Sequence, residues 1–290
     1  MSRIAYVNGH YLPHREAAVS IEDRGYQFAD GVYEVIPVLA GRLIDEGLHL
    51  DRLARSLGEI RIAPPMTRAA LGVVLREVVR RNRVADGMVY LQVTRGVARR
   101  EHPFPLPGVK PALVVTARRG ARVPDAPDGW GIAAITRPDE RWARCDIKTI
   151  GLLPNVLARQ AAREAGAYEA VLIDGAGNVT EGAAANVWIV DAAGVLRTRA
   201  LGPAILPGCT RAALIGLLGE ENIVFEERGF SLDDLRAARE AFLTSATSFV
   251  RPLLRLDGAP IGDGEVGPVT RRLFALLAAH AAGTRNHAEP

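Results

Sequence analysis

The chain of 290 residues contains two lysines against 34 arginines. Arginine supplies a fixed positive charge, whereas lysine can also lose its proton and act as a nucleophilic amine when its surroundings lower its pKa. Lys110 precedes Pro111 in a polar, proline-rich stretch, and we interpret it as an exposed loop charge. Lys148 lies in Arg-Cys-Asp-Ile-Lys-Thr-Ile, residues 144–150, between apolar residues. This setting is compatible with a catalytic amine. The alternative is that the chain generally uses arginine in place of lysine and that two lysines remain by chance.

Composition and charge exclude several classes of function. The content of 48% hydrophobic and 24% charged residues is typical of a soluble globular protein. A formal charge of +3, with basic and acidic residues interleaved, does not indicate a nucleic-acid partner. No apolar run has signal-peptide or membrane-span length, so we expect a cytoplasmic protein without a membrane partner. Cys145 and Cys209 have no second ligand at metal spacing, so no metal site is expected.

The elements that must position Lys148 fall into two regions with different patterns. In the first region, alternation and turn signals such as Asn8-Gly9 predict β-strands, and 3- to 4-residue apolar spacing predicts two helices. The predicted strands are 4–7, 11–12, 31–39, 42–44, 88–94 and 112–116, and the predicted helices are 50–60 and 71–79, the latter capped by Thr67. A polar stretch with glycine and proline, 121–129, is the predicted linker.

The second region mixes strands with amphipathic helices. The predicted helices are 156–165, 210–218 and 269–282 with a short one capped by Ser231, and the predicted strands are 168–174, 185–191 and 195–198. We therefore predict an α+β fold of two domains, 1–120 and 130–290, joined by the linker 121–129.

Three segments of the second region suit a cofactor that reacts with a lysine. The commonest carbonyl partner of such a lysine is pyridoxal phosphate, whose pyridine nitrogen needs a carboxylate and whose phosphate needs backbone N–H groups or hydroxyls. Glu181, among small residues before a strand, is the carboxylate candidate. The turn 206–211, which opens a helix, and the hydroxyl-rich loop 244–248 are the phosphate candidates. Taken singly, these segments are explained better by a solvated surface turn and a capped helix, and the loop 244–248 has a β-turn as its alternative.

Together these segments resemble the fold-type IV pyridoxal-phosphate enzymes, and most closely the D-amino-acid transaminases. The most specific stretches are 22–28, 30–34, 144–148 and 179–182, which occur in the family's order along the chain. The resemblance implies a small N-terminal α/β domain, a larger C-terminal domain with a β-barrel-like sheet and helices, and a cofactor in the interdomain cleft. It also implies a homodimer.

The resemblance assigns residues to the cofactor. Lys148 matches the Schiff-base lysine, and Glu181 matches the partner of the pyridine nitrogen. Other matches hold the phosphate or pack under the ring: Arg52, Leu206, Cys209, Thr210, Ser245 and Ala246. The chain departs from the family where Ala183–Ala185 replaces a serine cluster and where Ala246 replaces a threonine. These replacements remove hydroxyls and leave backbone N–H groups.

The substrate side is implied by three further matches. Arg100 and His102, with Tyr33, are similar to the group that binds the substrate carboxylate in D-amino-acid transaminases, and their converging donors suit a planar anion. Arg99 is an alternative to Arg100, although the Arg-x-His spacing favours Arg100.

The implied reaction is ping-pong transamination between D-amino acids (D-alanine, D-glutamate) and 2-oxo acids such as 2-oxoglutarate or pyruvate, with Lys148 as Schiff base and proton carrier. A branched-chain L-amino-acid transaminase and an aminodeoxychorismate lyase would share Lys148 and Glu181, and a non-catalytic binding protein is a further alternative. A nucleotide-dependent oxidoreductase, suggested by Gly175-Ala176-Gly177, is excluded because Thr180 occupies the third glycine position of that motif.

Overall fold

The computed structural model describes residues 3–105, 109–120, 123–219 and 223–283. The chain forms two compact units. The first contains 1–122 and 147–151, and the second contains 123–146 and 152–290. The domain limits expected from the sequence stay a prediction, and residues 121–122 of the expected linker lie outside the described residues.

The first unit is built on an antiparallel sheet of six strands: β1 (Ile4–Val7), β2 (His10–Pro13), β3 (Gly31–Leu39), β4 (Arg42–Leu43), β5 (Gly87–Thr94) and β6 (Ala112–Arg119). Their order across the sheet is β2-β1-β6-β5-β3-β4. The predicted β1–β2 hairpin is confirmed, since Asn8 and Gly9 adopt φ of 47° and 103°, which a two-residue turn of this kind requires.

The helices of this unit are α1 (Arg24–Phe28), α2 (Glu46–Glu59) and α3 (Arg68–Asn82), and a 3₁₀ turn covers His14–Glu16. Apolar residues of α2 and α3 pack with those of the sheet into one core. The predicted cap is confirmed, because the Thr67 hydroxyl accepts a hydrogen bond from the Ala70 amide at 3.3 Å. Helix α1 was not predicted, since five residues are too short for a helical period; the Asp23 side chain caps it.

The second unit contains a curled half-barrel sheet of nine strands. They are β7 (Ile132–Pro138), β8 (Glu169–Ile173), β9 (Val179–Gly182), β10 (Asn186–Val190), β11 (Leu196–Thr198), β12 (Phe225–Glu227), β13 (Glu240–Ser245), β14 (Phe249–Leu256) and β15 (Ala259–Pro260). The order is β12-β11-β10-β13-β14-β7-β8-β9, with β15 paired to β14. Five of these strands were not predicted from the sequence: β7, β9, β12, β14 and β15.

The described residues of this unit also form four helices: α4 (Leu153–Glu164), α5 (Cys209–Leu218), α6 (Leu232–Arg236) and α7 (Pro268–Ala282). Both faces of β10 are buried, because Val187 and Ile189 join one apolar core while Trp188 and Val190 join another with α5 and α7. The predicted cap Ser231 is confirmed by a reciprocal hydrogen-bond pair with Asp234. Among the described helices, none combines the length and apolarity needed to cross a membrane.

Candidate active site

Lys148 is held by backbone contacts within the first unit. Its carbonyl accepts a hydrogen bond from the Tyr33 amide at 3.0 Å, and its own amide donates to the Ser56 hydroxyl at 3.3 Å. Two residues further on, the Ile150 amide donates to the Gly31 carbonyl at 3.1 Å. A Cβ on Gly31 would lie 2.6 Å from a backbone oxygen of β5, so only glycine permits this close approach. The segment 147–151 therefore runs fixed along β3.

The side chain of Lys148 lies over an aromatic face. Its Nζ is 4.3 Å from the centroid of the Tyr33 ring, a distance at which an ammonium is attracted to the ring. Tyr33 stacks in turn on Tyr90 at 5.7 Å, and burial together with Tyr33 raises the pKa of Tyr90 to about 12. Lys148 is half-buried and Lys110 is exposed, as the sequence indicated. Tyr33 thus contacts the proposed nucleophile directly.

Arg52, the predicted phosphate ligand, belongs to a buried ionic cluster of the first unit. Its Nε and Nη2 each donate to a different carboxylate oxygen of Glu34 at 2.8 Å. His49 Nδ1 lies 2.8 Å from the same carboxylate. Burial of Glu34 opposes its charge, but Arg52 and His49 outweigh this effect and lower its pKa to about 2. Glu34 therefore holds the Arg52 guanidinium in place. That Arg52 binds the cofactor phosphate stays a prediction.

Glu181 is buried on β9 in the second unit, with 4% of its surface exposed. The Asn186 side-chain Nδ2 donates to its Oε2 at 3.0 Å, and the Leu206 backbone amide donates to both oxygens at 3.1 and 3.2 Å. Arg141 adds an ion pair through its Nη1. Charged and neutral donors on one carboxylate favour its ionised form. The surface-turn alternative for Glu181 is wrong, because this carboxylate lies in the protein interior.

Arg141 and Asp139 were missed by sequence reasoning. The Arg141 guanidinium donates from Nε and Nη2 to the two oxygens of Asp139 at 2.9 and 2.8 Å, besides its contact with Glu181. Burial would raise the pKa of Asp139, but Arg141 and the Thr180 hydroxyl hold it below its ordinary value. The pKa of Arg141 is raised by its carboxylates against the effect of burial. Nothing in residues 139–141 signals this role, which depends on a strand 40 residues further on.

The predicted phosphate turn lies next to Glu181. Helix α5 begins at Cys209 after the N-cap Gly208, and Cys209 and Thr210 are buried in its first turn. The Asn186 amide that contacts Glu181 also donates to the Leu206 carbonyl at 3.0 Å. A Cβ on Gly208 would lie 2.1 Å from Asn186 Oδ1, so this approach needs glycine. The turn 206–208 that precedes α5 is therefore linked to Glu181 through the side chain of Asn186.

The second predicted phosphate segment lies at the end of β13. Pairing of β10 with β13 sets Thr244 opposite Asn186, which brings residues 245–248 near the start of β10. The Ser248 amide donates to the carbonyl and hydroxyl oxygens of Ser245 at 3.3 and 3.2 Å. This turn leaves Ala246 half-buried at its corner. The β-turn expected as an alternative is present, and it is compatible with a phosphate-binding loop.

Arg100 and His102 lie on an exposed loop of the first unit. The Arg100 guanidinium is 5.0 Å from the centroid of the Phe28 ring, and the His102 ring is 5.5 Å from it. Buried Arg24 fixes the loop by donating to the carbonyls of Glu101 and His102 at 2.5 and 3.3 Å. Arg24 was not singled out from the sequence, since its partners lie 77 and 78 residues away. The structure thus brings Arg100 and His102 together on Phe28.

The chemistry of these groups fits pyridoxal phosphate. The first unit offers an amine at Lys148 and an arginine at Arg52. The second offers a buried, hydrogen-bonded carboxylate at Glu181 and the N-terminus of α5, where backbone N–H groups suit a phosphate. A Schiff-base aldehyde, a protonated pyridine and a phosphate require these three kinds of partner.

The site and the fold define an aminotransferase. Residues 31–256 match the family model "Amino-transferase class IV". Since this match covers more than half of the chain, the protein belongs to the amino-transferase class IV family, a family of pyridoxal-phosphate enzymes. The resemblance to fold-type IV aminotransferases that the sequence indicated is confirmed.

Among individual relatives, the chain is similar to two D-alanine aminotransferases. It is 41% identical to that of Staphylococcus haemolyticus over 268 residues, which cover 92% of this chain and 94% of the relative. It is 42% identical to that of Bacillus licheniformis over 270 residues, which cover 93% and 94%.

A solved structure extends the likeness to the fold. The T.th. branched-chain amino acid aminotransferase with pyridoxamine 5'-phosphate superposes with a TM-score of 0.87 at 27% identity, over 98% of this chain and 96% of that one. The predicted α+β, fold-type IV architecture is therefore confirmed.

Proposed function

We propose that the protein is a pyridoxal-phosphate-dependent transaminase that moves an amino group from a D-amino acid to a 2-oxo acid. The observation that carries this proposal is 40–42% identity to D-alanine aminotransferases over more than nine-tenths of the chain. The solved branched-chain aminotransferase is 27% identical, so it supports the branched-chain alternative less than the D-alanine aminotransferases support the D-amino-acid assignment.

The residues that match the family's cofactor-binding positions would hold the cofactor. Lys148 would form the Schiff base with its aldehyde, and Glu181 would keep the pyridine nitrogen protonated. The backbone N–H groups of Cys209 and Thr210 suit the phosphate, because a helix N-terminus attracts anions. Arg52, Ser245 and Ala246 would complete the phosphate contacts, and Leu206 would pack under the ring.

Proton transfer would fall to Lys148. When bound, the cofactor supplies an electron sink for the negative charge left on the α-carbon of the substrate. Lys148 Nζ would take the α-proton as a general base and hold it for return as a general acid. Its position over Tyr33, 4.3 Å from the ring centroid, limits where this amine can reach. The same reaction steps in reverse, with a second 2-oxo acid, would give ping-pong kinetics.

Substrate handedness would be set by the carboxylate. Arg100 and His102 would bind it on the loop that Arg24 fixes, and the Tyr33 hydroxyl would contribute a further donor. With the carboxylate anchored, only one enantiomer would present its α-hydrogen to Lys148.

We also propose that the protein is a cytoplasmic homodimer. Exposed Leu153, Val156 and Leu157 on α4 form an apolar stripe that a second copy of the chain would cover.

The discriminating experiment is an assay of product formation from D-alanine and from L-alanine, each with 2-oxoglutarate. The proposal predicts pyruvate and D-glutamate from the D isomer at a rate at least about tenfold above that from the L isomer, because anchoring by charged hydrogen bonds is worth about 1.5–3 kcal/mol. Preference for L-leucine or L-valine would indicate a branched-chain transaminase instead. Pyruvate from aminodeoxychorismate without a 2-oxo acid would indicate the lyase.

A further inference from the structure

Glu181 does not stand alone in the second unit, because Arg141 joins it to a second buried carboxylate. Arg141 Nη1 contacts Glu181, while its Nε and Nη2 donate to Asp139 at 2.9 and 2.8 Å. The side chains of Arg141, Asp139 and Glu181 are only 7%, 10% and 6% exposed. A planar guanidinium can serve two carboxylates at once because its N–H groups point in fixed directions.

The network also fixes the orientation of Arg141. Arg141 Nη2 donates to the Ala204 carbonyl at 3.1 Å, two residues before the Leu206 amide that contacts Glu181. The Thr180 hydroxyl, adjacent to Glu181 in the chain, donates to Asp139 Oδ2 at 2.7 Å. Movement of Arg141 would therefore disturb the segment 204–206, whose Leu206 amide contacts Glu181, and also the Asp139 contact of Thr180, the residue before Glu181.

The charges of this group favour a cation beside Glu181. Two carboxylates and one guanidinium carry together one net negative charge when all three are ionised. A protonated pyridine nitrogen next to Glu181 would neutralise it. Without the guanidinium, burial would favour the neutral acid form of Glu181, which can no longer stabilise a protonated ring nitrogen.

We propose that Arg141 is a positioning residue that keeps Glu181 ionised and correctly oriented for the pyridine nitrogen, and that Asp139 holds Arg141 in place. This inference rests on the proposed role of Glu181 and adds to it. It assigns Arg141 no contact with the substrate, and its effect on the cofactor passes through Glu181.

The test compares Arg141→Met with wild type by two readouts other than turnover. The first is the ¹⁵N NMR shift of the ring nitrogen in enzyme loaded with ¹⁵N-labelled pyridoxal phosphate, and the second is the dissociation constant of pyridoxal phosphate. We expect the shift to move toward the unprotonated value and the dissociation constant to rise about tenfold or more, as for loss of a charged hydrogen bond. Wild-type values for both would overturn the proposal.

Arg199→Met is the matched control. Arg199 also binds β9, donating to the Val179 carbonyl at 2.9 Å, and it pairs with Asp174 at 3.5 Å. Loss of a guanidinium that contacts the same strand, but not Glu181, should leave the ring-nitrogen shift and the dissociation constant unchanged. A control that moves both readouts as far as Arg141→Met does would overturn the specific role of Arg141.

Two further variants make every outcome informative. If Arg141→Met does not fold, Asp139→Asn is measured instead, because it loosens Arg141 without removing it. Smaller changes in both readouts then support the proposal, and wild-type values overturn it.

Glu181→Gln separates the proposed role of Glu181 from the proposed role of Arg141. If Glu181→Gln leaves both readouts unchanged, the proposed role of Glu181 fails and the inference fails with it. If Glu181→Gln changes both and Arg141→Met changes neither, only the inference on Arg141 fails.

Discussion

Two buried carboxylates, Glu34 and Glu181, differ in exposure from the loop that is proposed to bind the substrate. Glu34 and Glu181 are 0% and 4% exposed, and each is held by an arginine and further donors. Arg100 and His102, in contrast, are exposed and pack on the single ring of Phe28. A buried charge must keep its partners, whereas a surface loop can change at little cost to the fold.

This difference separates two tasks of the enzyme. The buried residues would determine the reaction type, because the groups proposed to bind the cofactor are held in place by the core. The loop 99–102 would fix which amino acid is accepted. Changes in the interior should therefore affect turnover, cofactor binding or stability, and changes in the loop should affect the apparent affinity for the substrate.

The largest effect is expected at Lys148. Lys148→Ala should lower kcat with D-alanine by at least about 10³-fold, because general acid–base catalysis and covalent attachment are lost together. Lys110→Ala is the matched control, since it removes the only other lysine of the chain and lies on the surface. Steady-state kinetics of both variants test this expectation. Equal losses in the two variants would contradict it.

The next effect concerns the acid stability that Glu34 confers. Its folded-state pKa of about 2 lies below the ordinary value of 4.5, so its ionised form stabilises the fold above about pH 5, and this contribution is lost as the pH falls toward 2. The pH-dependent part is about 3 kcal/mol. Glu34→Gln should lack it, which urea unfolding of both proteins at pH 7 and pH 3 would measure.

A surface glutamate provides the control for Glu34. The pKa of Glu77 is also lowered to about 2, by hydrogen bonds from Arg80 and Arg81. Because these groups lie at the solvent surface, screening should make the stability change in Glu77→Gln small. If Glu77→Gln loses as much pH-dependent stability as Glu34→Gln, burial is not the deciding factor.

A smaller effect is expected at Arg100. Arg100→Met should raise KM for D-alanine about tenfold by removing a charged hydrogen bond to the carboxylate, while kcat and the dissociation constant of pyridoxal phosphate stay near wild type. Arg99→Met is the adjacent matched control and should change KM little. The reverse ranking of the two variants would move the carboxylate contact to Arg99.

The smallest effect is expected at Arg24. Arg24→Lys keeps a positive charge beside Asp30, to which Arg24 Nε donates at 2.8 Å, but cannot reproduce both bonds to the loop carbonyls. We expect KM for D-alanine to rise about threefold, because the lysine ammonium can replace one of the two bonds to the loop carbonyls but not both. An unchanged KM with a changed dissociation constant of pyridoxal phosphate would show that Arg24 supports the cofactor rather than the loop.

The sequence predicted the parts of the fold that carry local signals. The β1–β2 hairpin, the caps Thr67 and Ser231, and most strands rest on turn residues and periodicity within a few positions of each other. Helix α1 was too short for such a signal. Helix α4 begins at Leu153, three residues before its apolar repeat was recognised.

Among the candidate site residues, too, only those with a local signal in the sequence could be predicted. Lys148 and Glu181 could be found because their chemistry is unusual in their surroundings and because family motifs include them. Arg141 and Arg24 could not, since arginine is common in this chain and the partners that define their roles, Glu181 and the Glu101 carbonyl, lie 40 and 77 residues away. Their roles depend on which strands and loops become neighbours, and only the folded chain provides that information.

The most direct test of the proposed chemistry asks which amine carries the cofactor. Because the chain has only two lysines, borohydride reduction of the holoenzyme followed by peptide mass mapping gives an unambiguous answer. We predict the reduced pyridoxal label on the peptide that contains Lys148 and none on the peptide that contains Lys110. Label on Lys110, or on neither peptide, would contradict the assignment of Lys148 as the Schiff-base lysine.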